Sequence, residues 1–461
     1  MILIKEGITP GDLKGQIENF FSISERKIAE LNSKWDAGNG SPVYTRAGIY
    51  TSRGWTDWTK GFQIGMALLQ YDFSEVSSFL DIGRSRTIEH MPVHLTNLGV
   101  HDHGFNIVST YGNLLRLMSE GRIKYSEREV DLYEVALKVS GAVQAARWTR
   151  LNDELGYIYS FNGPHSLFAD TIRSLRSLAV AYQLGHILIV EQDKKVSLLE
   201  RLLQHAETTS RYIVYFGESR DIYDNPGRVA HEAIFNTDSC TFRCPSTQQG
   251  YSPFSTWTRG LAWIILGYAE ELEFIDNLEE SALEQYGGKK KIAERFLRTA
   301  QTVVDFYIQN VPIDGIPYWD TGAPGLSQLG DYLNRLADPY NEHEPVDSSA
   351  AVIAAQGLIR LGNYLKMKND IDSGNRYLQA GLTLASNLFS EPYLSTDPNH
   401  QGLILHSVYH RPNGWDYIQS GKKIPFGESS MWGDYHALEL GLLIHRMAER
   451  KPHLTFFPIE R

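Results

Sequence analysis

Cysteine is nearly absent from the chain. Cys240 and Cys244 are the only two in 461 residues, so no disulfide framework is expected. Two thiols without histidines at matching spacing do not make a zinc site either, and no metal or other cofactor is expected. Their scarcity suits a reducing compartment. The first residues, Met1 to Gln16, lack a basic start followed by an apolar core, so no secretory signal is visible. A cytoplasmic location is therefore expected, or a periplasmic one if a leader has been removed. No apolar run is long enough to span a bilayer. A basic stripe is also missing. With a net charge of −11, the chain has no means of drawing in nucleic acid or an anionic membrane surface. The short runs Lys194-Lys195 and Lys289–Lys291 read as solvated helix faces. No linker rich in Pro, Gly or Ser divides the chain, which predicts one domain over 1–461 with 1–40 forming an outer N-terminal helix. Strand signals are thin, confined to Tyr157–Tyr159 and the stretch near Gly315–Tyr318. Nothing sets an oligomeric state.

Helical patterning and aromatic rings are abundant. The chain has 9 Trp and 25 Tyr, a surplus that fills a large helical core and also suits a cleft that stacks on sugar rings. Six times a polar or aromatic cluster runs into an apolar helical stretch: Trp58–Phe62, His101–Phe105, Phe168–Thr171, Thr256–Gly260, Asp347–Ala350 and Trp432–His436. Other stretches, 13–34, about 125–149, 191–214, 287–309 and 371–390, are amphipathic and charged, as expected of outer helices with one stripe inward. Six inner and about six outer helices in alternation predict an all-α (α/α)6 toroid, with the inner N-terminal ends sharing one mouth. The insertions 215–256 and 311–346 would be loops over that mouth.

A lone Asp at a helix start is most often an N-cap, and Asp347 and Asp434 look the most cap-like. Asp102, flanked by His101 and His103, and Asp170, after Phe168-Ala169, stand in settings that could raise a carboxyl pKa by desolvation. Two carboxyls in one mouth, one poised to donate and one ionised, suit glycoside chemistry. Arg259 opens a helix, where the macrodipole disfavours a cation, so an anion is expected to meet it. That anion is either a sugar carboxylate or an acidic neighbour within the protein. Trp263 lies one turn further along the same face.

The run Thr247-Gln-Gln-Gly-Tyr-Ser…Trp257-Thr-Arg-Gly-Leu-Ala-Trp263 resembles the TQQGYS…WSRGQAW motif of the unsaturated glucuronyl hydrolases, glycoside hydrolase family 88. His101-Asp-His-Gly-Phe105 is similar to that family's H-D-x-G-F. Ala169-Asp170, Asp347–Ala350, Gly433–Tyr435 and Trp58–Phe62 match further motifs in family order, across roughly 50–445. The resemblance implies hydration of the C4=C5 double bond of an unsaturated uronic acid at the non-reducing end of a lyase product. By position, Asp170 would be the general acid and base, with Asp102 orienting the substrate and influencing the site's protons. Gln249, Arg259 and His101 would contact the substrate, and Trp58 and Trp263 would form stacking walls. His231 stands where the family has a pocket histidine, though a satisfied loop histidine fits as well.

Departures lie at His103, Leu261 and Pro253-Phe254, beside the expected pocket. The loop His406–Gly427, with Tyr409, His410, Arg411 and Trp415, is expected to shape the aglycone side. Rival readings are the unsaturated rhamnogalacturonyl hydrolases of family 105, ordinary hydrolysis of saturated β-glucuronides, and a non-catalytic carbohydrate-binding toroid.

Overall fold

A computed structural model of the chain describes residues 1–54 and 57–457. Its architecture is an all-α (α/α)6 toroid. The outer helices are Lys14–Lys34, Ser77–His90, Glu127–Ala146, Leu198–Ile213, Lys289–Asn310 and Ile371–Leu388. The inner ones are Lys60–Ser74, the segments over 103–119, those over 171–183, Thr258–Asp276, Ser348–Met367 and Met431–Ala448. The two classes differ as their sequences demand. Helix Thr258–Asp276 buries every residue from Thr258 to Ile275, whereas Leu198–Ile213 buries a stripe that includes Leu198, Leu202, Ala206 and Ile213. Ser77–His90 is the outer helix that the charge pattern did not single out.

Each inner helix packs on the next in chain order, and the last, Met431–Ala448, packs back on Lys60–Ser74, so the ring closes. The inner helices approach closely at glycine. A Cβ on Gly104 would stand 2.2 Å from the Ser174 carbonyl oxygen, and one on Gly357 would stand 2.6 Å from Ile265 Cγ2. Side chains start several helices. Ser197 accepts from the Glu200 N–H, Asp347 from Ser349 and Ser430 from Gly433. At the far end of the ring, segment 451–457 lies across the opening. There Arg360 Nη2 donates to the Leu454 carbonyl at 2.8 Å, and His453 Nε2 lies 2.8 Å from Glu273.

More strand is present than the sequence suggested. Gly156–Ile158 does pair, with Trp148–Arg150, and Tyr318 bridges to Val346. Two further hairpins, Tyr44–Arg46 with Ile49–Thr51 and Leu188–Val190 with Lys194–Val196, were not anticipated. A three-stranded antiparallel sheet also joins Ser166–Phe168, Glu232–Asn236 and Thr241–Ser246. That sheet matters for the site, because its first strand leads into Asp170 and its last into Thr247. No described helix is long and apolar enough to cross a membrane.

Candidate active site

The inner N-terminal ends surround a cavity of about 500 Å³. Its lining brings together Trp58, His101, Asp102, Asp170, Gln249, Arg259 and Trp263, seven of the eight residues singled out above. His231 stands behind the wall, 2% exposed, with its ring against Phe168 and Trp257.

Asp102 and Asp170 each occupy an N-cap position, yet neither carboxylate makes a capping hydrogen bond. They turn instead toward one imidazole. His101 Nε2 lies 3.2 Å from Asp170 Oδ2 and 3.7 Å from Asp102 Oδ1. The sheet helps to aim Asp170, since the Ala169 N–H donates to the His231 carbonyl at 2.9 Å. His101 is held from behind, its carbonyl accepting from Gln144 Nε2 at 2.9 Å. His103 bridges the Asn97 carbonyl and Ser140 Oγ, at 2.9 Å to each, which ties the approach loop to an outer helix.

The two carboxyls are driven apart electrostatically, opposite to the desolvation argument made for Asp170. Burial would raise Asp170, but the adjacent His101 outweighs it, and the carboxyl lies below its ordinary range. Asp102 feels burial most, partly opposed by His101, and is raised to about 6. Burial lowers the His101 pKa, but the two carboxylates raise it more, and the net shift is upward. Of the three groups, His101 therefore holds a proton most readily and Asp170 least. His101, Asp102 and Asp170 also set one ligand atom each within 4.8 Å of one another, a spacing a metal ion could span.

Asp347 caps its helix as expected, accepting from the Ser349 N–H at 3.1 Å, and it also meets Arg259. Asp434 does not cap. It accepts from Tyr50 Oη, Leu403 N and Ile404 N at 2.6–2.9 Å and pins the 403–404 loop, while Ser430 caps that helix.

The anion that meets Arg259 is a protein carboxylate. Arg259 Nη1 lies 2.8 Å from Asp347 Oδ2, and its other bonds go to the carbonyls of Val408 and Tyr409 and to Gln249 Oε1. The last bond fixes an orientation. A guanidinium only donates, so Gln249 Oε1 must accept, at 3.0 Å, and the Nε2 amide hydrogens face the other way. His231 is fixed similarly. Its Nδ1 accepts the Gln248 N–H at 2.9 Å, so the neutral ring carries its proton on Nε2, and burial lowers its pKa to about 4. That Nε2 is buried without a hydrogen-bond partner among the described residues.

The floor is aromatic. Trp58 stacks on Trp432 with centroids 5.3 Å apart, and Trp263 packs on Phe105 at 4.9 Å. Tyr409, His410 and Trp415 of the 406–427 loop line the cavity, and Arg411 does not. Phe161, Gln248 and Asn413 line it too and were not anticipated. The Asn-Gly-Pro turn after Phe161 and the Pro-Asn-Gly turn around Asn413 were the available signals, since turns of this kind often carry binding side chains.

No family model matches the chain. It is 25% identical over 387 residues to an unsaturated glucuronyl hydrolase of Formosa agariphila, covering 83% of this chain and 78% of that protein. It is 22% identical over 396 residues to an unsaturated chondroitin disaccharide hydrolase of Streptococcus agalactiae, covering 85% of this chain and 82% of the relative. Among solved structures, the unsaturated glucuronyl hydrolase of Bacillus sp. GL1 superposes with a TM-score of 0.69 at 22% identity, covering 94% of this chain and 96% of that one. In sequence over 83% of its length, and in fold over 94%, this chain is similar to the unsaturated glucuronyl hydrolases.

Proposed function

We propose that the protein is a glycoside hydrolase that removes a 4,5-unsaturated uronic acid from the non-reducing end of oligosaccharides left by polysaccharide lyases. The observation that carries this reading is the pairing, in one aromatic cavity, of the Asp170–His101–Asp102 cluster with the oriented amide of Gln249. The names of the relatives in Formosa agariphila and Streptococcus agalactiae support it.

The sugar ring lies on the aromatic floor with its carboxylate toward Gln249 Nε2, and the positive charge of Arg259 stands behind that amide. Binding brings a negative charge beside the cluster and excludes water, which makes an ionised Asp170 more costly. The proton on His101 Nε2, 3.2 Å away, passes to Asp170 Oδ2. Asp170 then protonates C4, and positive charge develops at C5 and the ring oxygen. Water adds at C5 and gives up a proton to the Asp170 carboxylate. The resulting hemiketal opens and releases the aglycone. Each turnover consumes one water and returns Asp170 to its protonated form, with no covalent glycosyl-enzyme.

We take the ring as one catalytic unit over 1–461, with 1–40 as its outer N-terminal part. The exposed free thiols of Cys240 and Cys244 suit a reducing, cytoplasmic setting. The test is the ultraviolet absorbance of the conjugated double bond in lyase-generated disaccharides. It should disappear on incubation with the purified protein. Asp170→Asn should slow this at least ~10²-fold, and full activity in that variant would remove Asp170 from the acid role.

A further inference from the structure

The functional reading above leaves open what the cavity demands of the rest of the substrate, and a buried chain of side chains bears on that. Glu232, 3% exposed, accepts at Oε1 from Ser166 Oγ and, at 2.9 Å, from Asn162 Nδ2. Ser166 Oγ is in turn 2.6 Å from Ser160 Oγ. Asn162 Oδ1 accepts from Gln248 Nε2 at 2.6 Å. Gln248 lines the cavity.

Amide groups are nearly symmetric in shape, so their direction is set by what they bond to. Here the direction starts at a carboxylate, which accepts. Asn162 must therefore offer its NH2 to Glu232, which leaves its oxygen for Gln248. Gln248 must offer its own NH2 to that oxygen. Its carbonyl oxygen is then the atom left for the cavity, and no described residue donates to it.

Resting on that functional reading, we propose that Gln248 is a specificity residue. It presents a bare acceptor that selects a hydroxyl or amide N–H on the saccharide and rejects a sulfate ester at that position, with Glu232 setting the direction of the relay. The chemistry is one-sided. A sugar hydroxyl can donate, whereas a sulfate ester offers only acceptor oxygens and a negative charge. Placing it there leaves two acceptors face to face in a confined site. A site built to bond a donor discriminates strongly against an analogue lacking it. Gln249 faces the opposite way, so the adjacent glutamines present one donor and one acceptor and read different groups.

The experiment measures kcat/KM for an unsulfated unsaturated chondroitin disaccharide and each of its mono-sulfated isomers. The wild-type protein should disfavour at least one isomer by at least ~10-fold. Glu232→Gln lets the far end of the relay donate, so Asn162 and Gln248 can both turn over and Gln248 can offer NH2. The discrimination against that isomer, and that isomer alone, should then fall to within about threefold. Gln248→Met removes the acceptor at similar volume and should also abolish the discrimination, which keeps the test open if Glu232→Gln folds poorly. A selectivity ratio is the readout because a merely structural defect slows all the sugars together. Equal turnover of every isomer by the wild-type protein, or discrimination unchanged in Gln248→Met, overturns this inference and leaves the functional reading standing. No turnover of any disaccharide overturns both.

Discussion

Asp102 and Asp170 begin helices and cap neither, and that small irregularity makes the site. A capping carboxylate spends its lone pairs on backbone N–H groups, as Asp347 does at Ser349. These two keep theirs for His101 and the cavity. Because Asp102 contributes to holding the His101 pKa up, Asp102→Asn should let His101 lose its proton at lower pH. The alkaline limb of kcat/KM, measured on residual activity, should move toward acid. An unmoved limb would separate His101 from the proton supply. Arg259 calls for a different test, since its charge is already met by Asp347. Arg259→Lys keeps a cation but loses the fork that reaches Asp347, Gln249 and two carbonyls at once. Releasing Gln249 should raise KM by ~10-fold or more, with kcat much less affected. An unchanged KM would make the Arg259–Gln249 bond incidental. At this scale the meeting of Asp102, Asp170, Gln249 and Trp263 in one cavity was legible because short motifs carry them. Asp347 as the partner of Arg259 was not, since 88 residues separate them and only the closed ring brings them together.

Helix by helix, the sequence was most legible where periodicity runs long. The outer stretches expected at 13–34, 287–309 and 371–390 fall on Lys14–Lys34, Lys289–Asn310 and Ile371–Leu388. Short strands were lost for a physical reason. Ser166–Phe168 is three residues long, and Thr241–Ser246 carries Pro245, which an edge strand tolerates but which reads in a sequence as a breaker. Packing between elements also fixes the spacing of Asp102 and Asp170. Gly104 follows Asp102 by two residues, and its Cα faces the Ser174 backbone, four residues beyond Asp170. Gly104→Ala would set a methyl 2.2 Å from the Ser174 carbonyl oxygen, so the two helices must separate. Overpacking of this kind costs roughly 1–3 kcal/mol. The expected result is a protein that still unfolds cooperatively in urea but loses far more activity than that destabilisation alone explains, because the Asp102–Asp170 spacing has changed. Activity that tracks stability alone would remove this link.

Across the whole molecule, buried imidazoles set the response to acid. Burial holds His205 and His436 down to about 3, and His103, His231, His406 and His410 to about 4. In the unfolded chain each takes up a proton near pH 6.5. Their contribution to stability is thus complete above 6.5 and is lost as the pH falls from there toward 4. Asp102, Asp314, Asp320 and Asp434, raised to about 6, act in the opposite sense, favouring the fold as pH falls from 6 toward 4, and burial raises Glu270, Glu271 and Asp416 as well. Against the pull of burial, nearby arginines hold Asp72, Glu273 and Glu439 low, and the stabilisation from these carboxylates is likewise lost as the pH falls, so together with the histidines the loss prevails. Urea midpoints should be lower at pH 5 than at pH 7.5. A rise at pH 5 would show that the carboxyls prevail.

The closure of Met431–Ala448 onto Lys60–Ser74 has a consequence during synthesis. A nascent chain cannot finish the catalytic mouth until its last inner helix has left the ribosome, because the first one waits, with one flank bare, for a neighbour encoded hundreds of residues later. Until then that flank is sticky, and the emerging polypeptide is a natural client for chaperones.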